Sequence, residues 1–135
     1  RHAVGDALLV AASQRVKGAI RESDVFARLG GDEFALILHD VGTDAEIAYL
    51  AAKTRDLLCA PFVIDAHTVH VGCSLGIALA PDDGTDLDLL LRRADIALYH
   101  AKGEGKGDFR FYTPELNERV VQRVRLEQEL RVALD

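Results

Sequence analysis

The first apolar stripe of the chain has the spacing of an amphipathic helix. Its apolar positions recur every three or four residues and predict a helix from about Ala3 to Ile20. Asp6 falls outside the stripe, so we expect its carboxylate on a polar face. The positions that form the stripe are Val4, Leu8, Ala11, Ala12 and Ala19.

Residues 25–38 change to strand-like spacing and predict a β-hairpin. The alternating run VFARL is followed by Gly30-Gly31 and then, after two carboxylates, by the buried run FALIL. Two glycines supply the positive φ angles of a tight turn and let a ligand approach the backbone. Asp32 and Glu33 are therefore expected at an exposed tip. Taken alone, Gly-Gly-Asp is also ordinary turn chemistry.

The remaining segments alternate helix and strand. TDAE at residues 43–46 is a capping box that begins a helix ended by Pro61, and TDLD at residues 85–88 is a second. Between them we predict a strand at 62–64, a turn, and one long strand from His67 to Ala80. A closing strand at 109–112 precedes a further helix. This order predicts an α/β (α+β) sandwich whose central, mostly antiparallel sheet is flanked by helices.

Length and charge narrow the class of function. A chain of 135 residues is one domain. Its formal charge of −6 argues against a nucleic-acid duplex as partner and is compatible with a mononucleotide held through a divalent cation. Cys59 and Cys73 have no metal or disulfide spacing, which indicates a reducing, cytoplasmic location. The sequence contains no membrane-spanning run or signal peptide. Because residue 1 is Arg, we expect the chain to be part of a longer protein.

Four short motifs together resemble the GGDEF family of diguanylate cyclases, which condense two GTP molecules into cyclic di-GMP. They are HAVGDALL at residues 2–9, RESD at 21–24, RLGGDEF at 28–34 and ADIALYHAK at 94–102. The resemblance implies an N-terminally incomplete GGDEF domain over residues 1–112. Residues 113–135 are similar to the helical connector that leads into an EAL-type phosphodiesterase domain.

The resemblance assigns the hairpin tip to metal binding and catalysis. Asp32 and Glu33 would hold Mg²⁺ or Mn²⁺ against the GTP phosphates, and we favour Asp32 as the base for the attacking 3′-hydroxyl. Gly30 and Gly31 would form part of the substrate site. Asp6 would read guanine, because a carboxylate accepts hydrogen bonds from its N1 and exocyclic amine. The alternative for Asp6 is an aspartate favoured near a helix start by the helix dipole.

Two further pairs of residues receive roles from the resemblance. Lys102 and Lys106 would hold the triphosphate, although the family more often has Arg-Asn where this chain has Lys106-Gly107. Arg21 and Asp24 match the inhibitory site that binds the product, cyclic di-GMP. The alternatives are lysines favoured at a helix C-terminus and a surface ion pair.

The family pattern also places a first strand before residue 1. That strand carries a metal-binding aspartate and is followed by a guanine-reading asparagine, so we expect the chain by itself to be inactive. The implied fold is the palm of nucleotidyl cyclases, and catalysis would require a homodimer because each domain holds one GTP. The parent protein is expected to carry a sensor or EAL domain and possible membrane anchoring outside this domain. The second hypothesis is a non-catalytic module that binds GTP or cyclic di-GMP and regulates an attached phosphodiesterase.

Overall fold

The computed structural model describes residues 2–104 and 109–117, with the side chains of residues 5–103 and 109–117. Helices and strands follow one another in the order predicted from the sequence, except that two strands, described below, replace one predicted strand. The chain divides into two units, Arg1–Cys73 and Ser74–Asp135. The elements are α1 (His2–Lys17), β1 (Val25–Gly30), β2 (Glu33–Ile37), α2 (Asp44–Cys59), β3 (Phe62–Ile64), β4 (His67–Val69), β5 (Leu75–Ile77), α3 (Leu87–Glu104) and β6 (Phe109–Phe111).

In the first unit, α1 packs against α2, β1 and β3. Arg15 ties α1 to the end of α2. Its guanidinium donates hydrogen bonds to the carbonyl oxygens of Leu57 at 3.0 Å and of Ala60 and Pro61 at 2.8 Å, and it lies 3.6 Å from the centre of the Phe62 ring. The last carbonyl oxygens of a helix have no hydrogen-bond donor within the helix, and the Arg15 guanidinium supplies donors to them at the end of α2. The contact fixes the helix that carries Asp6.

The predicted start of α2 is confirmed. Thr43 is the N-cap, and its hydroxyl oxygen accepts from the Glu46 N–H at 3.2 Å while the Glu46 carboxylate accepts from the Thr43 N–H at 3.1 Å. The Thr43 backbone N–H bond and then its hydroxyl lower the pKa of Glu46 below the usual 4.5. The capping box therefore fixes where the chain leaves the hairpin and turns into α2.

In the second unit, β5 and β6 run parallel, as strands joined by a crossover helix must. The Tyr112 N–H donates to the Ile77 carbonyl at 2.8 Å and continues this ladder. Residues 114–117 are helical. Ala97 of α3, Tyr112 and Leu116 form the buried core of the unit. The predicted connector helix beyond residue 117 lies outside the described residues.

The prediction of one long strand from His67 to Ala80 is wrong. β4 ends at Val69, β5 begins at Leu75, and residues 70–74 between them are not strand. β4 pairs with β3 in an antiparallel ladder, whereas β5 pairs with β6 in a parallel one. The two ladders belong to different units, and the change of pairing partner falls at residues 70–74, where the strand is interrupted.

The predicted fold class is confirmed as a mixed α/β domain. Within the described ranges, the strands pair in three two-stranded ladders, β1 with β2, β3 with β4 and β5 with β6, and the first two are antiparallel. None of the described helices is long and apolar enough to cross a membrane.

Candidate functional site

The hairpin of β1 and β2 presents two carboxylates at its tip. Gly30 and Gly31 have φ angles of 152° and 50°, a region that side chains rarely adopt. The register shifts between Arg28 and Gly30, so the turn contains a bulge. Arg28 Nε donates to the Gly31 carbonyl oxygen at 2.9 Å and braces this turn. The predicted exposure of Asp32 and Glu33 is confirmed.

The two tip carboxylates differ in backbone setting. Asp32 lies in the turn itself, and Glu33 is the first residue of β2, paired with Gly30. Adjacent residues within a regular strand point to opposite faces, but this rule does not apply to Asp32 and Glu33 because only Glu33 is in the strand. Among the described residues, neither carboxylate has a hydrogen bond or an ion pair within the protein. Both are free to accept a ligand.

The chemistry of these donors fits Mg²⁺ or Mn²⁺. Magnesium is commonly bound through one or two carboxylates, with water and substrate phosphates completing an octahedron. In the part of the chain that is described, no three His, Cys, Asp or Glu side chains come together as a protein cage. Among the described residues, Asp32 and Glu33 are therefore the carboxylates that would hold a cation at this tip, together with water and oxygens supplied by a ligand.

A groove of about 520 Å³ runs between α1 and the hairpin. We call it the Asp6 groove. Asp6 is exposed on α1 and lines it together with Lys17, the last residue of that helix. The hairpin contributes Arg28 and Phe34, which are directly opposite each other in the ladder. Its other lining residues are Leu9, Val10, Ser13 and Gln14.

Sequence reasoning missed the hairpin wall of this groove. Phe34 stacks on Phe26 with ring centres 5.0 Å apart and an interplanar angle of 11°. Phe26 and Arg28 are two apart on β1, so they share a face with Phe34 across the ladder. The alternation of residues 25–29 predicts that Phe26 and Arg28 share one face of the hairpin. It does not predict a groove, because the groove forms only where α1 packs beside that face.

A second groove, of about 450 Å³, lies at the loop between α1 and β1. We call it the Arg21 groove. It contains both residues of the predicted inhibitory site, Arg21 and Asp24, together with Lys17 and Glu22. Its other lining residues are Ile20, Val25 and Phe26.

Asp24 holds this loop together. Its Oδ2 accepts from the Arg21 N–H at 3.0 Å and from Arg21 Nε at 3.5 Å, and its Oδ1 accepts from the His39 N–H at 3.3 Å. Arg21 also donates to the His39 carbonyl oxygen. The Arg21 backbone N–H is the largest cause of a pKa of Asp24 below the usual 3.8. The Asp24 side chain is 4% exposed and that of Arg21 is 58% exposed, so Arg21 presents the accessible surface of the pair.

The remaining predicted residues belong to the second unit. Lys102 is exposed in the last turn of α3, and Lys106 lies outside the described residues. A helix packs closely on β5 at Gly76. A Cβ there would lie 2.8 Å from the Leu98 Cα and closer still to the Ala94 carbonyl oxygen. This approach holds α3, the helix that carries Lys102, against β5.

Comparison with known proteins defines the class of domain. Residues 2–108 match the family model described as diguanylate cyclase, GGDEF domain. The chain therefore belongs to the GGDEF family, as the motifs predicted.

The names of individual relatives describe different activities. The chain is 37% identical over 134 residues to the bifunctional diguanylate cyclase/cyclic di-GMP phosphodiesterase MucR of Pseudomonas aeruginosa, covering 99% of this chain and 19% of that protein. It is 39% identical over 134 residues to the cyclic di-GMP phosphodiesterase PdeR of Escherichia coli, covering 99% and 20%. The chain thus spans about a fifth of the length of these relatives.

Solved structures agree with the fold. The GGDEF domain of TpbB from Pseudomonas aeruginosa superimposes with a TM-score of 0.82 at 38% identity, covering 90% of this chain and 70% of that one. An EAL/GGDEF domain protein from M. capsulatus gives a TM-score of 0.77 at 42% identity, covering 84% and 73%. The mixed α/β architecture is therefore that of the GGDEF domain.

Proposed function

We propose that this chain is the catalytic domain of a diguanylate cyclase, which condenses two GTP molecules into cyclic di-GMP and two pyrophosphates. The observation that carries the proposal is the pair of exposed, unpartnered carboxylates on the braced turn, Asp32 and Glu33. The name of a relative such as TpbB, a diguanylate cyclase 40% identical over 123 residues, supports the same activity.

In this proposal each end of the substrate meets a different element. Asp6 accepts hydrogen bonds from the guanine edge in the Asp6 groove, whose volume is in the range of small-molecule sites. The glycine turn at residues 30–31 leaves room for the phosphates to approach the backbone. Lys102 and Lys106 supply positive charge for the triphosphate. Mg²⁺ bound by Asp32 and Glu33 would neutralise charge on the phosphate under attack.

The chemical step joins two nucleotides held by two domains. The 3′-hydroxyl oxygen of one GTP forms a bond to the α-phosphorus of the other, and the bond from that phosphorus to pyrophosphate breaks. Asp32 takes the hydroxyl proton. A second, identical step closes the ring. Because each domain contributes one GTP, two copies must face each other, and Arg21 with Asp24 would bind the product that accumulates.

The names of some relatives favour a second candidate function. PdeR and NbdA, which is 36% identical over 133 residues, are named as cyclic di-GMP phosphodiesterases. Lys106-Gly107 also departs from the family pattern and replaces a bidentate guanidinium by a point charge. In this alternative the domain is catalytically inactive, binds GTP or cyclic di-GMP, and regulates an attached phosphodiesterase.

Product formation separates the two candidates. The intact gene product is incubated with GTP and Mg²⁺, and cyclic di-GMP is measured by chromatography across a range of protein concentrations. A cyclase gives product at a rate per molecule that rises with concentration, because dimers must form, and chelation of the metal stops it. Tight GTP binding without product at any concentration would instead support the regulatory module.

A further inference from the structure

The hairpin of β3 and β4 brings two free, half-buried thiols to its open end. Cys59 is the last residue of α2, and Cys73 follows β4 within the same unit. The last pair of the ladder at this end is Phe62 with Val69. Cys59 lies three residues before Phe62, and Cys73 lies four residues after Val69. Because the two chains leave an antiparallel ladder side by side, both thiols lie beyond the same end of the hairpin.

The electrostatics of the Cys73 thiol agree with this placement. Burial, and after it the charge of Cys59, raises the pKa of Cys73 to about 11, while the Arg55 guanidinium acts in the opposite direction. Arg55 and Cys59 are four residues apart and share one face of the last turns of α2. The Cys73 thiol, which senses the charges of both, therefore faces that side of α2.

The backbone beside Cys73 has room to adopt the geometry of a disulfide. Such a bond requires two Cα atoms within about 7 Å of each other and Cβ atoms that face each other. Residues 70–74 belong to no strand, so no ladder holds them in place. A Cβ at Gly72 would meet nothing within 4 Å, which shows open space next to Cys73. Small shifts at Cys73 therefore do not require the hairpin or α2 to open.

We propose that Cys59 and Cys73 are a modification site, at which a low-molecular-weight disulfide such as glutathione disulfide joins the two thiols reversibly. Under reducing conditions the pair stays as thiols, and the disulfide forms when the surroundings become oxidising. The bond ties the end of α2, which Arg15 connects to α1, to the segment that follows β4. No nucleotide takes part, so the site is independent of the proposed function.

The oxidation consists of two exchange steps. The Cys59 thiolate attacks one sulfur of glutathione disulfide, the S–S bond breaks, and one glutathione leaves as a thiolate that takes up the proton lost by Cys59. Cys73 then loses its proton and attacks Cys59 Sγ, which forms the Cys59–Cys73 bond and releases the second glutathione. Cys59 attacks first, because thiolates are the nucleophiles and burial keeps Cys73 protonated. Two protein thiols are oxidised, and one glutathione disulfide is reduced to two glutathiones.

Peptide mapping of the intact gene product tests the site, whatever other cysteines that product contains. Trypsin releases residues 56–92 as one peptide with both thiols, because Lys and Arg are absent between Arg55 and Arg92. The folded protein is equilibrated with mixtures of reduced and oxidised glutathione, quenched with acid, alkylated and digested. We expect an oxidised form of this peptide that weighs two hydrogens less than the reduced form, takes up no alkyl group and regains both thiols with dithiothreitol.

The same titration in concentrated urea gives the reference for the unfolded chain. The glutathione ratio at half-oxidation measures the effective concentration of one thiol at the other. We expect this concentration to be at least about tenfold higher in the folded protein, because a bond that fits the native fold forms more readily there. An equal or lower effective concentration in the folded protein overturns the proposal.

Cys73→Ser and Cys59→Ser are the matched variants. Cys73→Ser should stop after the first step and carry one glutathione on Cys59, because no second thiol displaces it. Cys59→Ser should take up less glutathione, since burial raises the pKa of the remaining Cys73 thiol. Stable mixed disulfides on both cysteines of the wild type, without closure, would show that the two thiols do not meet and would overturn the proposal.

Discussion

Asp24 shows how a residue predicted for ligand binding also shapes the backbone that presents it. Both of its oxygens accept hydrogen bonds from the loop, two of them from backbone N–H groups of Arg21 and His39. These bonds favour the ionised carboxylate and lower the pKa of Asp24. The ion pair weighed as the alternative to an inhibitory site is therefore present, and it orders the loop around the exposed Arg21.

The lowered pKa of Asp24 predicts a pH dependence of stability. A carboxyl whose folded pKa lies below its unfolded value of 3.8 stabilises the fold above that pH, and the contribution is lost as the pH falls through the folded pKa. Asp24→Asn should therefore be less stable than the wild type at neutral pH, and the difference should shrink as the pH falls below 3.8 and through the folded pKa of Asp24. Urea unfolding followed by circular dichroism at a series of pH values measures this difference.

Asp95→Asn provides the control for this series, because Asp95 is exposed on α3 and makes no bond within the described residues. Its unfolding curves should follow the wild type at every pH. A constant gap between Asp24→Asn and the wild type from neutral to acid pH would mean that the Asp24 charge does not stabilise the loop.

At the scale of elements, local sequence motifs correctly predicted the turns and helix starts that are determined by neighbouring residues. The hairpin followed from Gly30-Gly31 between two apolar runs, and the start of α2 followed from Thr43 and Glu46. The long strand from His67 to Ala80 failed because periodicity reports which residues alternate, not which neighbour each half pairs with. β4 pairs with β3 across a two-residue turn, whereas β5 pairs with β6, a strand far away in sequence, and that partner is decided by tertiary contacts.

The backbones of β5 and α3 approach each other closely at Gly76. A side chain at Gly76 would meet the backbone of Ala94 and Leu98, which cannot move aside as a flexible side chain would. We predict that Gly76→Ala lowers the free energy of unfolding by about 3 kcal/mol, at the upper end for overpacking. Denaturant titration measures the change.

Gly72→Ala is the matched substitution, since a Cβ at Gly72 would meet nothing within 4 Å. Removing the backbone freedom of a glycine in the unfolded chain should leave this variant as stable as the wild type or slightly more so. Equal losses in the two variants would show that α3 does not approach β5 as closely as described.

The helical turn at residues 114–117 is anchored on α3 by a contact that the sequence did not reveal. The ring Nε2 of His100 lies 3.0 Å from the Leu116 carbonyl oxygen, and both residues are buried. Since a carbonyl can only accept, Nε2 carries the proton. The sequence does not signal this contact, because the partner of His100 is a backbone oxygen, which every residue type supplies.

On the scale of the whole molecule, the family and fold class were predictable from motifs, while the two grooves were not. Lys17, Arg28 and Phe34 are far enough apart in sequence that only the packing of α1 beside the hairpin brings them to one groove. Motif spacing identifies residue types at fixed offsets, whereas a groove depends on the angle at which a helix crosses a strand pair. The predicted roles of Asp6, Lys102 and Lys106 remain predictions.

The central claim is that the hairpin tip performs metal-assisted chemistry on GTP. In the intact gene product, Glu33→Gln and Asp32→Asn keep the shape of the tip but remove one negative charge each. Asp65→Asn is the control, because Asp65 is an exposed carboxylate in the turn between β3 and β4. The melting temperature of each variant is measured as well, to show that the fold is intact. We expect it to change little, because the tip carboxylates make no bond within the described residues whose loss would destabilise the domain.

The decisive measurement is the turnover of GTP to cyclic di-GMP at saturating GTP and Mg²⁺. We predict that both tip variants lose at least about 100-fold in turnover, as expected when charge stabilisation at a reacting centre is removed. Their melting temperatures should stay within about 2 °C of the wild type, and Asp65→Asn should retain full activity. Wild-type turnover in either Glu33→Gln or Asp32→Asn would contradict the assignment of that carboxylate to the catalytic centre.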